Sequence, residues 1–310
     1  MSILISGSTG LLGSALLDDL RRQGQETSRL VRPATQTRLR DLPHPTGQRN
    51  VLWDPVAGLL DSSAEDASAV VHLAGASIGD QRWTAARKRV LHQSRVAATK
   101  HLVKALGRLR RPPRVFVAAS AIGFYGNRGD EVLTEESAAG NDFLAQLSRD
   151  WETESARAAE FGARVVVLRF GIVLSKQGGA LPRMALPFRL GLGGRIGSGR
   201  QWMSWISLQD VVRIIEYAIT TNLLSGPANA VAPHPVRNSE FVADLARVLH
   251  RPALFPAPAF VLRLLLGEMA DSLLLASQRV LPKKLEQLGY QFLYPELESV
   301  LEAVLGSRSR

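Results

Sequence analysis

The chain has 310 residues, no cysteine, a formal net charge of +10 and an apolar fraction of 45%. That length suits one large α/β domain or two modest ones, and the lack of cysteine excludes disulfides and cysteine metal sites. No apolar stretch approaches the roughly 20 residues of a membrane span, the richest (260–266) being broken by Arg263.

An apolar segment, Ile3–Ser6, reads as the first strand, and its start leaves no room for a signal peptide, so a cytoplasmic location is expected. Behind it come Gly7, Ser8, Thr9, Gly10, Leu11, Leu12 and Gly13, then a helix over Gly10–Gln23 with Gly24 as its C-cap. Strand, glycine-rich turn and helix N-terminus in that order make a phosphate site, because backbone amides approach the anion and the helix dipole favours it.

Thr27–Val31 reads as strand 2 and ends in Arg29-Leu30-Val31-Arg32, with no acid before Asp41. A carboxylate there holds the ribose 2′-hydroxyl of NAD, whereas an arginine accommodates the 2′-phosphate of NADP. Arg32 therefore selects NADP over NAD, the alternative being a solvated strand-end arginine.

Asn50–Trp53 is strand 3, with Asp54 placed either at an adenine edge or in an Asp-Pro turn. Ala69–Leu73 is strand 4, and the small residues of Leu73-Ala74-Gly75 let a dinucleotide lie across its tip. A long helix follows over Trp83–Leu109, with Val90, Val96, Val103 and Leu106 on its apolar side. Arg114–Ala119 is strand 5, Phe143–Phe161 a helix and Arg164–Phe170 strand 6. Continuous apolar strands between helices predict a Rossmann-type doubly wound parallel sheet of the α/β class.

After Val173 the glycine-rich stretch from Ser175 to Arg200 reads as loops at the strand tips, with Asp210–Thr221 returning to helix and a helical, proline-punctuated region from Pro252 on. The expected organisation is an NADP-binding Rossmann domain over 1–174, rejoined by 206–232. A smaller mixed substrate lobe then comprises 175–205 and 233–310.

The six histidines (His44, His72, His92, His101, His234, His250) lack metal-ligand spacing, so no metal is expected. Only six of the 38 basic residues are lysine, and the rest are dispersed apart from Arg108-Leu109-Arg110-Arg111. Dispersion argues against nucleic acid as a partner, because clustering marks an electrostatic footprint.

Gly7–Gly13 with Leu73-Ala74-Gly75 resembles the extended, epimerase/dehydratase-like branch of the short-chain dehydrogenase/reductase superfamily. A narrower likeness rests on Arg82-Trp83-Thr84, Ser94-Arg95-Val96, Ser120–Gly126, Leu168–Leu174, Gly178–Leu181, Gly193–Ile206 and Ala276–Pro282. These resemble the YfcH-like epimerase-family oxidoreductases, which pair a Rossmann domain with a short C-terminal domain of unknown function. The resemblance covers nearly the whole chain and implies an NADP-binding fold, with Gly171 also beside the cofactor.

The departures bear on chemistry. The superfamily carries Tyr-x-x-x-Lys on the helix after strand 5, and 143–152 here contains neither residue. Tyr125 lies in the Tyr-Gly after strand 5 and has Gly129 four residues on. The superfamily's serine or threonine falls on Ala121, with Ser120 one residue early, so a one-residue bulge is needed to bring Ser120 to the site. The asparagine position of the long helix falls on Arg95, which either binds an anionic substrate or bridges helix and loop.

Ser120, Tyr125 and Arg95 are thus the candidate catalytic residues. Arg195, Arg200, Trp202 and Trp205 are the expected substrate contacts in a loop over the site, the alternative being an interdomain plug of core aromatics. Two functions compete: an NADP(H)-dependent oxidoreductase or epimerase acting on a small, anionic carbonyl or sugar-type substrate, and a non-catalytic NADP(H)-binding sensor. RNA binding is a third. A monomer or homodimer is expected.

Overall fold

The computed structural model describes residues 2–33 and 48–306; Asp41 and His44 lie outside them. The chain opens with β1 (Ser2–Ser6), α1 (Leu11–Arg22), β2 (Thr27–Val31), β3 (Gln48–Asp54), the short β4 (Leu59–Leu60) and β5 (Ala67–His72). Two α-helical segments follow, α2 (Ala85–His92) and α3 (Ala98–Leu106), joined by a π-helical turn over Gln93–Ala97. Then come β6 (Val115–Ala121), β7 (Val132–Leu133), α4 (Phe143–Ala156), β8 (Arg164–Phe170) and β9 (Ile172–Leu174).

The eight-stranded sheet runs β12-β8-β6-β5-β1-β2-β3-β4. Its pairs are parallel except β3 with β4. The chain builds outward from β1 through β2 and β3, then returns to β5 on the other side of β1 and builds outward again. The order therefore reverses between β1 and β5, and that is where a crevice opens in such sheets.

Alternation within the strands sorts the core onto two faces. Ile3, Ile5, Val71, Val117 and Leu168 point to the face covered by Leu16 and Leu20 of α1. Leu4, Val70, Phe116, Ala118 and Val167 point to the other, with Leu102, Val103 and Leu106 of α3. Val90, expected on the apolar side of the long helix, is exposed. It lies before the π turn, whose extra residue shifts the helix face.

The stretch expected to be loops at 175–200 contains α5 (Ala180–Arg189). Gly179, at φ +79°, turns the chain into it, and Leu181, Ala185 and Phe188 form a buried stripe at spacings of four and three. Beyond it are β10 (Trp202–Met203), β11 (Trp205–Ser207), α6 (Leu208–Thr220) and β12 (Gly226–Ala230), which pairs with β8 at the sheet edge.

The remainder comprises β13 (Val236–Arg237), α7 (Asn238–Leu249), α8 (Ala259–Leu266), a π turn over Asp271–Leu275, β14 (Arg279–Val280), α9 (Lys283–Gln287) and α10 (Leu297–Leu305). A separate apolar cluster joins Leu181 and Phe188 to Phe241, Leu245, Val300 and Leu301. Among the described residues no helix is long and apolar enough to cross a membrane.

Candidate functional site

The turn after β1 is built so that only glycine fits. Gly7 has φ +69°, and a Cβ there would stand 2.7 Å from the carbonyl carbon of Leu73. A Cβ on Gly13 would stand 2.3 Å from the Gly7 carbonyl oxygen. The Gly10 amide donates to that same oxygen at 3.0 Å and closes the turn. The first-turn amides of α1 have no intrahelical acceptor, and that turn carries no acid. This cradle fits a dinucleotide diphosphate: open amides, the positive end of a helix, and no side chain in the way. Ser8 is buried within the turn, Thr9 is exposed, and Leu11 and Leu12 are half-buried at the helix start. Leu73, Ala74 and Gly75 form the neighbouring tip of β5.

Arg32 is exposed just beyond β2. Asp54 adopts the turn alternative: its carboxylate accepts from the amides of Val56 (2.8 Å) and Ala57 (3.1 Å), which hold its pKa below the usual range.

Beside the β5 and β6 tips lies a cavity of about 860 Å³. Arg95, Ser120, Gly171 and Trp202 line it, whereas Tyr125, Arg195, Arg200 and Trp205 do not. Arg95 sits at the centre of the π turn. Its guanidinium lies 5.3 Å from the Trp151 ring and about one contact distance from Gly75, where a Cβ would be 3.1 Å from Cζ. Its hydrogen-bond partner is the Ser94 hydroxyl at 3.5 Å, and no carboxylate pairs with it among the described residues. Burial, and then the charge of Arg87, pull its pKa down to about 10. The bridging reading of Arg95 thus has little support beyond Ser94.

Ser120 reaches the cavity without a bulge: β6 pairs with β8 in register through Ser120↔Arg169 and Ala121↔Phe170. Its hydroxyl donates to Glu152 Oε1 at 2.6 Å. Arg169 grips the same carboxylate through Nε (2.9 Å) and Nη2 (2.8 Å), a bidentate pair that fixes its plane. Glu152 lies four residues after Ser148, which faces the cavity from α4. The helix thus presents Ser148 and Glu152 at the spacing where the resembled superfamily carries tyrosine and lysine. Neither Glu152, Arg169 nor Ser148 was singled out from the sequence. The i,i+4 spacing on the helix after β6 was the available signal, and their non-standard residue types concealed it.

Tyr125 belongs to the core. It is fully buried, its hydroxyl donates to Asn229 Oδ1 at 2.6 Å and accepts from Arg169 Nη1 at 2.9 Å, and burial raises its pKa. It ends the 3-10 turn over Ile122–Tyr125, of which Ile122 and Gly123 line the cavity and Tyr125 does not. Trp205 is also core: it is fully buried and its indole donates to the His234 carbonyl at 3.1 Å. Trp202, Met203 and Ser204 reach the cavity, while Trp205 packs with Leu181 and Phe241. Trp202 donates to Asp130 at 2.8 Å, and the guanidiniums of Arg237 and Arg279 lie 4.6 and 4.5 Å from its ring. Arg195 and Arg200 point to solvent from the same loop.

A buried polar chain ties the cradle to the cavity wall. Ser6 Oγ lies 2.6 Å from His72 Nδ1, and His72 Nε2 lies 2.9 Å from Thr99 Oγ1, which also accepts from the Trp151 indole at 3.0 Å. Ser6 Oγ in turn accepts from the Ala74 amide at 3.3 Å.

The comparisons with known proteins agree with this architecture. The profile of the NAD dependent epimerase/dehydratase family matches residues 3–230, and that of a domain of unknown function, DUF1731, matches 257–304. The Bacillus subtilis epimerase family protein YfhF is 37% identical over 309 residues, covering 99% of each chain. An epimerase family protein of Mycobacterium bovis is 43% identical over 291 residues, covering 94% of this chain and 93% of its own. Among solved structures, the human epimerase family protein SDR39U1 (isoform 2) with NADPH superposes with a TM-score of 0.86 at 33% identity, covering 98% of this chain and 99% of that one. The UDP-glucuronic acid 4-epimerase of Bacillus cereus, in a structure with that sugar nucleotide and NAD, has a TM-score of 0.76 at 17% identity, covers 98% of each chain and shares the fold. With its glycine cradle at the strand-order reversal and its C-terminal segment matched as well, the chain belongs to the NAD dependent epimerase/dehydratase family.

Proposed function

We propose that the protein is an NADP(H)-dependent oxidoreductase or epimerase acting on a small carbonyl compound or its alcohol in the cavity beside Ser120. The observation that carries this reading is the juxtaposition of a dinucleotide cradle at the β1/β5 reversal with a cavity whose wall holds a hydroxyl already bonded to a carboxylate. Gly7–Gly13, Leu73–Gly75 and Gly171 would hold the cofactor, with Arg32 at its 2′-phosphate. The relative with NADPH supports NADP, while more distant neighbours were solved with NAD.

When bound, the cofactor supplies hydride transfer. The chain's own part is the proton. Ser120 donates its hydroxyl hydrogen bond to Glu152, so its lone pairs are free to accept a substrate hydroxyl. In the alcohol-to-carbonyl direction the substrate proton passes to Ser120 Oγ as the Ser120 proton passes to Glu152 Oε1. Carbonyl reduction runs the relay backward. Arg169 keeps Glu152 oriented through its two parallel bonds. Tyr125 takes no part, being enclosed by Asn229 and Arg169.

The second reading, a non-catalytic NADP(H) sensor, is favoured by one observation: α4 presents Ser148 and Glu152 in place of tyrosine and lysine. Two measurements separate them. Saturation with NADPH at 100 times Kd should stabilise the protein by about 2.7 kcal/mol, more than NADH at the same concentration. A panel of carbonyl compounds followed by NADPH absorbance should then show turnover that falls about a hundredfold in Ser120→Ala and Glu152→Gln with NADPH binding kept. Absence of stabilisation by either nucleotide rejects the cofactor reading. Stabilisation without turnover across the panel favours the sensor, and turnover unchanged in both variants rejects the relay.

A further inference from the structure

The cavity's chemistry narrows the substrate, and this step rests on the oxidoreductase reading above. Its lining is dominated by hydrocarbon: Leu144, Leu147 and Trp151 from α4, Met184 from α5, and Met269 and Leu273 from the C-terminal segment. The polar groups that reach it are largely spent on the protein itself. Ser204 Oγ donates to the Gln278 carbonyl (2.9 Å) and accepts from the Val280 amide (2.9 Å). Gln278 Nε2 donates to the carbonyls of Ile122 and Gly126, each at 3.1 Å. Asn238 Oδ1 accepts from the Ile196 amide at 2.8 Å, and Arg183 is paired with Asp80 at 2.5 Å.

A sugar nucleotide needs many free donors and acceptors for its hydroxyls, and burying it here would leave those hydroxyls unmatched. Arg95 is the charged exception. It is a largely buried cation without a carboxylate partner among the described residues, on the π turn, at the cofactor end of the cavity. Arg87 nearby adds a second positive charge, and its Nε is buried without a partner. The helices that wall the cavity also carry exposed apolar residues. Leu186 on α5, and Phe260 and Leu264 on α8, are exposed on the two helices whose Met184 and Leu266 line it.

We infer that the substrate is amphipathic: a carbonyl compound, or its secondary alcohol, with one anionic group held by Arg95 and an alkyl or aryl body of several carbons lying along α4 and the C-terminal segment, rather than a nucleotide sugar. A carboxylate on Arg95 recovers the cation's burial cost through a charge-assisted pair. The hydrocarbon body displaces water from the Leu144–Leu147–Met184 wall.

Calorimetric titration of the NADPH-loaded protein with n-butanoate, hexanoate, octanoate and decanoate, with octanamide and UDP-glucose alongside, tests this. Affinity should rise about fourfold per methylene until the body fills the cavity, and octanoate should bind about tenfold or more tightly than octanamide. Arg95→Met should abolish the preference for carboxylate over amide while the chain-length slope persists, and NADPH affinity in that variant, read separately by thermal shift, should hold. A flat chain-length series, UDP-glucose binding more tightly than octanoate, or an Arg95→Met variant that loses NADPH rather than carboxylate overturns the inference. Failure of the cofactor reading is seen apart from these, as no NADPH shift in the wild-type chain.

Discussion

His72 offers a quantitative test of the buried chain that joins the cofactor cradle to the cavity wall. Its ring is fully buried between Ser6 and Thr99, and burial lowers its pKa from 6.5 to about 4. Between those two values the unfolded chain binds more protons than the folded one, so stability falls as pH drops. Linkage gives full stability near pH 8, a loss of about 2 kcal/mol by pH 5, and about 3 kcal/mol below pH 4. Aspartates such as Asp54, whose pKa values are lowered, titrate below this window, and Glu216, raised by burial, works in the opposite direction to His72. Urea unfolding followed at pH 5, 6, 7 and 8 measures the slope, and a constant m-value keeps the comparison valid. His72→Asn lacks the titrating ring and should be less stable at pH 8 but much flatter between pH 8 and 5. Equal stability of the wild-type protein at pH 5 and pH 8, or a slope that survives in His72→Asn, would refute the assignment.

Gly13→Ala places a Cβ against the Gly7 carbonyl oxygen, and because that neighbour is backbone the turn must open. NADPH affinity measured by thermal shift or fluorescence should fall by at least about tenfold, the cost of displacing amides from an anion; unchanged affinity would remove the turn as the phosphate seat. Tyr125→Phe leaves Asn229 and Arg169 without their hydroxyl partner and should destabilise the fold by about 1–3 kcal/mol in urea. Turnover on whichever panel compound proves active should stay within about threefold, whereas a loss of about a hundredfold would return Tyr125 to proton transfer.

The parallel sheet was legible because fully buried strands write themselves as unbroken apolar runs, as in Ile3–Ile5 and Val115–Ala119. The cradle was legible because three glycines sit between a strand and a helix. Helix α5 was missed because Gly178-Gly179 and two prolines outweighed the short stripe Leu181, Ala185, Phe188. Arg95 and Ser120 were found through the resemblance and are brought together at the cavity. Tyr125 and Trp205 looked equally chemical in the sequence, yet they are enclosed by Asn229 and Phe241 from distant segments.

The sequence by itself determined the α/β architecture, the dinucleotide cradle after β1 and the missing Tyr-x-x-x-Lys pair, because each is local: a periodicity, a turn or a spacing within one element. Only the tertiary structure decided which polar groups stay free. Ser120 acquires Glu152 from α4, Glu152 acquires Arg169 from β8, and Arg95 acquires no acid among the described residues. Such pairings depend on how parallel strands register and where a helix lays its face, and no stretch of chain records the burial that makes one arginine a clamp and leaves another without a carboxylate among the described residues.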